Sequence, residues 1–489
     1  MRCEAVGFAA PRPLASRPLP PEKEVDIKGL VIAGTKSGCG KTTVTLGLLA
    51  SLARRGIHVA PFKVGPDFID PGHHTAITRA VSRNLDGWML SKAYNLECFR
   101  KNAENADVAV IEGVMGLFDG YDGKTEAGST AQMAKWLGLP VILVVDAKSM
   151  ARSAAALVQG FERFDKDLRF AGVLFNNVGS EGHLRYLKDA LEHNVNMPCL
   201  GGVVHEKEIA IPERHLGLVT RNDHFLSDEA VSMLADTIDK ATDIDTLLDS
   251  LPEISAQDDL SSPHVPNKTP LVRIGVAVDN AFCFYYQDNF DILKACGAEL
   301  VYFSPMKDND LPENLDGIYF GGGYPELFAR QLADNVNLRN QIREKSIDGM
   351  PIYGECGGFM YLCREISDTE GNTYPMTNCF PFATRMFPRL KALGYREIAM
   401  AKDTIIGKRG QTVRGHEFHY SEMTGFSQKI ETVYSVSARA GIKKNDEGYQ
   451  IANTLGSYIH LHFGSQPDAA RHFMEACLQY KNTEITNSK

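Results

Sequence analysis

No apolar run in this 489-residue chain approaches the length needed to span a bilayer, which argues against an integral membrane protein. No block of Lys and Arg offers a face that could track a phosphate backbone, and the formal net charge of −9 points the same way, against nucleic acid as a main partner. None of the ten cysteines sits in a C-x-x-C, so most read as small core residues of a protein kept in a reducing cytoplasm. The first 26 residues contain Pro11, Pro13, Pro18, Pro20 and Pro21 but no continuous apolar core followed by a small-residue cleavage site. They read as a flexible tail and not as a signal peptide. What remains, 44% apolar and 23% charged residues, is the composition of a soluble globular protein, and the length exceeds one ordinary core.

The first half is organised around Leu30–Thr43. A short apolar run enters a glycine-rich loop, Gly34-Thr35-Lys36-Ser37-Gly38-Cys39-Gly40-Lys41-Thr42-Thr43, and an apolar helical pattern follows. Strand, loop and helix N-terminus in that order make a nucleotide site, with amide N–H groups turned toward phosphate oxygens. Lys41 can reach the terminal phosphates, and the Thr42 hydroxyl can ligate Mg²⁺. Five residues, not four, separate Gly34 from Gly40-Lys41-Thr42, a longer loop of the kind found in dethiobiotin-synthetase-like and partitioning-ATPase-like proteins, which this stretch resembles.

From residue 27 to about 245, apolar strands at Gly29–Ala33, Val59–Val64, Val108–Ile111, Val141–Val145 and Ala171–Phe175 alternate with helical patterns such as Thr42–Arg55 and Thr130–Leu137. The pattern predicts a doubly wound α/β domain with its ligands at the carboxyl ends of the strands. Acidic groups stand at those ends. Asp67 and Glu112 are assigned to metal or phosphate in preference to helix capping, because a hard cation wants oxygen ligands. Asp70 and Asp119 share that assignment with ordinary turn chemistry, while Asn176 and Asn177 suit either an adenine edge or a turn. Residues 246–270 are polar, rich in proline and without period, which marks a linker with no internal repeat across it.

Beyond it a second α/β pattern starts: strands at Val272–Val278, Glu299–Phe303 and Gly317–Phe320, and a helix at Phe290–Ala295. Strand, Gly354-Glu355-Cys356-Gly357-Gly358 and helix form a nucleophile elbow with Cys in place of Ser. The helix N-terminus there is expected to favour a thiolate. His460 and His462, two apart in an extended segment, share a face; His460 is preferred as the base and His462 as an orienting or substrate-side group. Gly321, Gly322 and Gly323 are expected to supply an oxyanion hole. His416-Glu417-Phe418-His419 is one residue short of H-E-x-x-H and looks extended, so it is no zinc protease site and is left as a substrate or interdomain contact.

Eight ordered stretches carry a resemblance: AGTKSGCGKTTVTLGLL (33–49), PFKVGPDFIDPGHHT (61–75), IEGVMGLFDG (111–120), IPERHLGLV (211–219), FGGGYPE (320–326), YGECGGFMYL (353–362), GHEFHYS (415–421) and SYIHLHFGS (457–465). Together they resemble the cobyrinate a,c-diamide synthase family of glutamine-dependent amidotransferases. The resemblance implies a dethiobiotin-synthetase-like P-loop domain, 27–245, and a class I glutamine amidotransferase domain, 271–482, with tails at 1–26 and 483–489. It implies that ATP and Mg²⁺ activate the a and c carboxylates of a corrinoid polycarboxylate as acyl phosphates, and that glutamine supplies the ammonia. Family positions for ATP and metal fall on Gly34–Thr43, Asp67 and Glu112; those for substrate handling fall on Phe68, Ile69, Asp70 and Asp119; Cys356 and His460 carry the glutaminase roles. Lys36 stands where partitioning ATPases keep a signature lysine, but Ser37 replaces their glycine. The same diamidation of hydrogenobyrinate or nickel-sirohydrochlorin, and a partitioning-type switch ATPase, are the alternatives. The partners implied are small molecules, with no nucleic acid and no membrane, and a homo-oligomer is compatible with the reading.

Overall fold

A computed structural model describes residues 26–204, 226–255, 270–425, 430–437 and 446–487. The first domain is a sheet of β1 (Asp26–Gly34), β2 (Val59–Val64), β3 (Arg83–Leu85), β4 (Val108–Glu112), β5 (Val141–Asp146), β6 (Phe170–Val178), β7 (Cys199–Val204) and β8 (Glu253–Ser255). Its order is β3-β2-β4-β1-β5-β6-β7, all parallel, with β8 antiparallel to the start of β1. Strand residues alternate between two cores: Val31 and Ala33 enter one, Leu30 and Ile32 the other. Helices cover both faces, which is why these strands read as continuous apolar runs. The strand order reverses around β1, so the loop after β1 opens where Glu112 ends β4 and Asp146 ends β5.

The second domain holds β9 (Val272–Ala277), β10 (Ala298–Phe303), β11 (Gly317–Phe320), β12 (Ile352–Glu355), β13 (Glu365–Ser367), β14 (Thr373–Pro375), β15 (Ala383–Met386), β16 (Ala392–Met400), β17 (Thr412–His419), β18 (Ser421–Thr424), β19 (Thr432–Val436), β20 (Asp446–Ile451), β21 (Thr454–Ser457) and β22 (His460–Leu461). Ten of them form one mixed sheet, β10-β9-β11-β12-β21-β20-β19-β16-β17-β22, and four a small one, β14-β13-β15-β18. The parallel half ends at β12 and β21, so the Cys356 elbow after β12 stands beside the segment that carries His460.

Two boundaries differ from the composition. Residues 246–255 complete a helix, Ile244–Ser250, and supply β8, because Leu247 and Leu251 bury against the first domain. The C-terminal helix Asp468–Asn487 continues through most of the expected 483–489 tail. Residues 1–25, the linker from 256 to 269 and the 211–219 motif lie outside the described residues. No described helix is long and apolar enough to cross a membrane.

The domains dock through a mixed apolar cluster, with Met89 and Leu90 meeting Tyr286 and Tyr395. Asp288 is its polar hub: Arg83 Nη1 donates to Asp288 Oδ1 at 2.9 Å and Tyr94 Oη to Asp288 Oδ2 at 3.0 Å. Arg83 also pairs with Asp291 at 2.8 Å, and Tyr395 Oη donates to Asp86 Oδ2 at 2.7 Å. Removing one partner of a buried pair strands the other charge, at a cost on the order of 3 kcal/mol. Arg83→Ala is therefore expected to loosen docking before either domain unfolds. Hydrogen exchange should rise selectively at residues 83–95 and 284–291, and unchanged exchange there would contradict the prediction.

Candidate active site

The glycine loop folds as the sequence predicts. Gly40 takes a φ of 98°, and a Cβ there would fall 2.0 Å from Asn176 Nδ2, so both backbone and space call for glycine. The helix Lys41–Arg54 starts immediately after it. Lys41 Nζ donates to the carbonyl oxygens of Lys36 and Met115, at 3.3 and 2.5 Å, which aims the ammonium into the loop. Burial lowers the Lys41 pKa; Cys39 opposes this and Lys63 adds to it. The Thr42 hydroxyl donates to Glu112 Oε1 at 2.7 Å.

Behind Glu112 lies a buried charged cluster with two members the sequence reading missed. Lys63 Nζ donates to Asp70 Oδ2 at 2.7 Å, to Glu112 Oε1 at 2.9 Å and to the Gly113 carbonyl at 3.1 Å. His74 Nε2 lies 2.7 Å from Glu112 Oε2. Burial by itself would lower the Lys63 pKa, but Asp70, Glu112 and Asp67 outweigh it and hold the ammonium charged. A lysine inside the otherwise apolar strand PFKV was the available signal.

The remaining first-domain candidates fall around this cluster. Asp67 Oδ1 accepts from the N–H groups of Ile69 and Asp70, at 2.8 and 3.3 Å, and so caps the helix Ile69–Thr78. The role ranked second for Asp67 thus occupies one of its oxygens. Asp119 Oδ2 accepts from Gly116 N–H at 3.0 Å, a turn contact. The Asn176 amide donates to the Cys39 carbonyl at 3.1 Å, bracing the loop. Asn177 donates to Asp146 Oδ1 at 3.0 Å, and Lys36 Nζ lies 3.6 Å from Asp146 Oδ2.

Cys356 has φ 46° and ψ −104°, the strained turn of a nucleophile elbow. Its N–H donates to the Ser457 carbonyl at 2.7 Å, and its Sγ lies 3.8 Å from the Phe418 carbonyl. The expected resting thiolate is not what the fold produces. Burial raises the thiol pKa first, and the charge on Glu326 raises it further, whereas the Gly357 N–H only partly offsets them. The helix that follows, Gly357–Leu362, is too short to reverse the balance. The thiol is protonated at rest and needs a base.

The oxyanion expectation narrows. Gly321 N–H donates to Tyr285 Oη at 2.8 Å and Gly322 N–H to the Phe284 carbonyl at 3.1 Å, so both are committed to the fold. Gly323 N–H has no acceptor among the described residues. Gly358 N–H donates to the Gly321 carbonyl at 2.9 Å, which ties this loop to the elbow.

His460 packs against the same loop: a Cβ on Gly322 would lie 2.3 Å from His460 Cε1. Its ring faces His416 at 5.5 Å and Phe68 at 5.0 Å between centroids. Burial first, then His416 and His419, press its pKa well down, so the imidazole is neutral. His462 meets a different set: Tyr286 at 4.5 Å, Tyr94 edge-on at 5.9 Å, and Asp288 Oδ2 3.9 Å from Nε2. Those are groups of the domain interface. Strand β17 is extended, as expected for His416–His419. It brings His416 to His460, while His419 Nε2 and Arg396 Nε bond Glu417 at 2.8 and 2.7 Å.

Phe68 joins the two halves. It follows Asp67 in the loop between β2 and its helix, yet its ring packs on Phe284 at 5.4 Å and Tyr286 at 4.6 Å as well as on His460.

Comparison with known proteins covers both halves. Residues 30–219 match the CobQ/CobB/MinD/ParA nucleotide binding domain, and residues 273–468 match the CobB/CobQ-like glutamine amidotransferase domain. A cobyrinate a,c-diamide synthase of Leptospira interrogans is 42% identical over 93% of this chain and 99% of its own length. The protein of that name from Syntrophotalea carbinolica is 45% identical over 92% and 98% respectively. The one from Salmonella typhimurium is 43% identical over 91% and 97%. The chain belongs to the cobyrinate a,c-diamide synthase family.

Proposed function

We propose that this chain is an ATP-dependent ligase that amidates the a and c carboxylates of cobyrinate with ammonia taken from glutamine. The observation that carries the reading is one loop serving both chemistries: Asp70 bonds Lys63, which also bonds the Glu112 that accepts from Thr42 of the glycine loop, and Phe68, two residues before Asp70, packs on His460. A switch ATPase has no use for a cysteine elbow held against its nucleotide domain.

In the first domain the substrate carboxylate attacks the terminal phosphorus of ATP, ADP leaves, and an acyl phosphate forms. Lys41 stabilises the charge on the transferring group. Among the described residues no three His, Cys, Asp or Glu side chains are placed to hold a metal by themselves. The Thr42 hydroxyl and Glu112 carboxylate, 2.7 Å apart, are the oxygen ligands that suit Mg²⁺ beside a nucleotide, with Asp67 close by. Bound Mg²⁺ would neutralise phosphate charge. Lys63, held charged between Asp70 and Glu112, fixes those carboxylates in place.

In the second domain Cys356 Sγ attacks the glutamine amide carbon while His460 takes the thiol proton and passes it to the departing ammonia. The N–H groups of Gly323 and Gly357 are the donors for the oxyanion. Water then hydrolyses the thioester to glutamate. Ammonia attacks the acyl phosphate, phosphate leaves, and an amide results.

Two substitutions divide the reaction. Cys356→Ala should abolish amidation with glutamine and keep it with ammonium. Mass spectrometry of cobyrinate incubated with ATP and Mg²⁺ should then show two successive losses of about one mass unit, one for each acid-to-amide conversion. Loss of ammonium-driven product in folded C356A, or product only from a different macrocycle, would refute the assignment. Lys41→Met should cut amidation by about 10²-fold or more with either nitrogen source while glutamine hydrolysis continues, read as glutamate released. Undiminished amidation would remove Lys41 from the phosphoryl-transfer step.

A further inference from the structure

We propose that Glu355 is the positioning carboxylate of the glutaminase site, orienting His460 from the residue next to the nucleophile. The proposal rests on the glutaminase reading of Cys356 and His460. A base that takes a thiol proton on one ring nitrogen must carry hydrogen on the other, and a third group usually fixes that tautomer. His460 Nδ1 is buried and has no hydrogen-bond partner among the described residues. The carboxylate that faces it is Glu355, with Oε2 at 3.9 Å. Such contacts are commonly long in a resting site and tighten as charge develops on the ring.

Glu355 is built into this place from three sides. Tyr353 Oη donates to its Oε1 at 2.7 Å, and Tyr319 Oη to its Oε2 at 3.0 Å. The N–H of Leu461, the residue after His460, donates to Oε1 at 3.0 Å. One carboxylate therefore holds the backbone beside the histidine and points its second oxygen at the ring. The position two residues beyond His460 is itself a histidine, and His462 is engaged elsewhere: its Nδ1 accepts from Gly464 N–H at 3.1 Å and its ring lies on Tyr286. His416 stacks on a face of the His460 ring at 25° between planes, a contact that orients neither nitrogen.

The electrostatics suit the task. Burial pushes Glu355 up to about 7, with the bonds from Tyr353, Leu461 and Tyr319 opposing it. The titratable groups around it are the Cys356 thiol, the His460 imidazole and the hydroxyls of Tyr285, Tyr286, Tyr319, Tyr353 and Tyr434, and burial raises the pKa of the thiol and of each hydroxyl. At rest these groups are neutral. When Sγ bonds to the amide carbon, the thiol proton moves to His460 Nε2 and the carbonyl π pair moves to oxygen. The imidazolium then has Glu355 as its counter-charge. On collapse the C–N bond breaks and Nε2 returns the proton to ammonia, while the Nδ1 hydrogen stays with His460 throughout.

Glu355→Gln keeps the volume and the acceptor for Leu461 but removes the charge. Glutamine-dependent kcat/KM should fall by about 10²-fold or more, with ammonium-driven amidation within about threefold of wild type. The ¹⁵N NMR signals of the His460 ring should place hydrogen on Nδ1 in wild type and shift toward the Nε2–H tautomer in E355Q, a change that loss of packing alone would not produce. Glu355→Asp should recover at least about tenfold of the lost activity and keep the Nδ1–H tautomer. Wild-type-like glutamine use in E355Q, or lost use with an unmoved tautomer, would overturn the proposal. Should E355Q lose ammonium-driven amidation through misfolding, E355D decides: glutamine use together with the Nδ1–H tautomer supports the proposal, and glutamine use lost with that tautomer kept overturns it. Glutamine use surviving in C356A would instead sink the glutaminase reading itself.

Discussion

The ring of Phe68 against the ring of His460, 5.0 Å between centroids, is the contact on which the rest of the molecule depends. Phe68 belongs to the loop after β2, two residues before Asp70, which bonds Lys63 of β2, so its position is set by the first domain. His460 is set by the second, through Leu461 and Glu355. Arg83, Tyr94 and Asp288 clamp the two domains beside this contact, and Tyr286 lies between Phe68 and His462. Docking and chemistry are thereby one structural problem. On the proposed function, ammonia made at Cys356 must reach the acyl phosphate before it escapes, and the rings of Phe68, Phe284, Tyr286 and His460 stand between the two sites.

The two sites handle buried polarity in opposite ways. Around Glu112 the protein buries charge and compensates it: Lys63 sits between two carboxylates and stays protonated. Around Cys356 it holds the nucleophile and base neutral among buried carboxylates, with the thiol pushed up and the imidazole of His460 pushed down. On the proposed function, the first arrangement would present fixed charge to a phosphoryl group, which needs no reorganisation during transfer. The second would keep the cysteine unreactive toward stray electrophiles or oxidants until substrate arrives.

Much of this was legible in the residues because glycine loops and nucleophile elbows have local spacing rules. Gly40, Lys41, Thr42 and Cys356 stand where those rules put them, and β1, β2, β4, β5 and β6 follow continuous apolar runs. Illegible parts depended on distant partners. Lys63 looks like a strand irregularity until Asp70 and Glu112 come together around it. Glu355 looks like a filler in a glycine turn until β22 brings Leu461 to its side chain. Gly321 and Gly322 looked as available as Gly323 because sequence does not tell which N–H the fold consumes. Residues 246–255 read as linker because a short amphipathic helix and a three-residue strand give little periodic signal.

Coupling of the two sites is open to one isotopic measurement. The purified protein is given amide-¹⁵N glutamine together with unlabelled ammonium, and the ¹⁵N fraction of the product amides is read by mass spectrometry for wild type and Phe68→Ala. The structure predicts that wild type draws nearly all product nitrogen from glutamine, whereas F68A admits unlabelled ammonium and releases glutamate in excess of amide formed. Equal labelling and equal stoichiometry in the two proteins would contradict the coupling of the sites through Phe68.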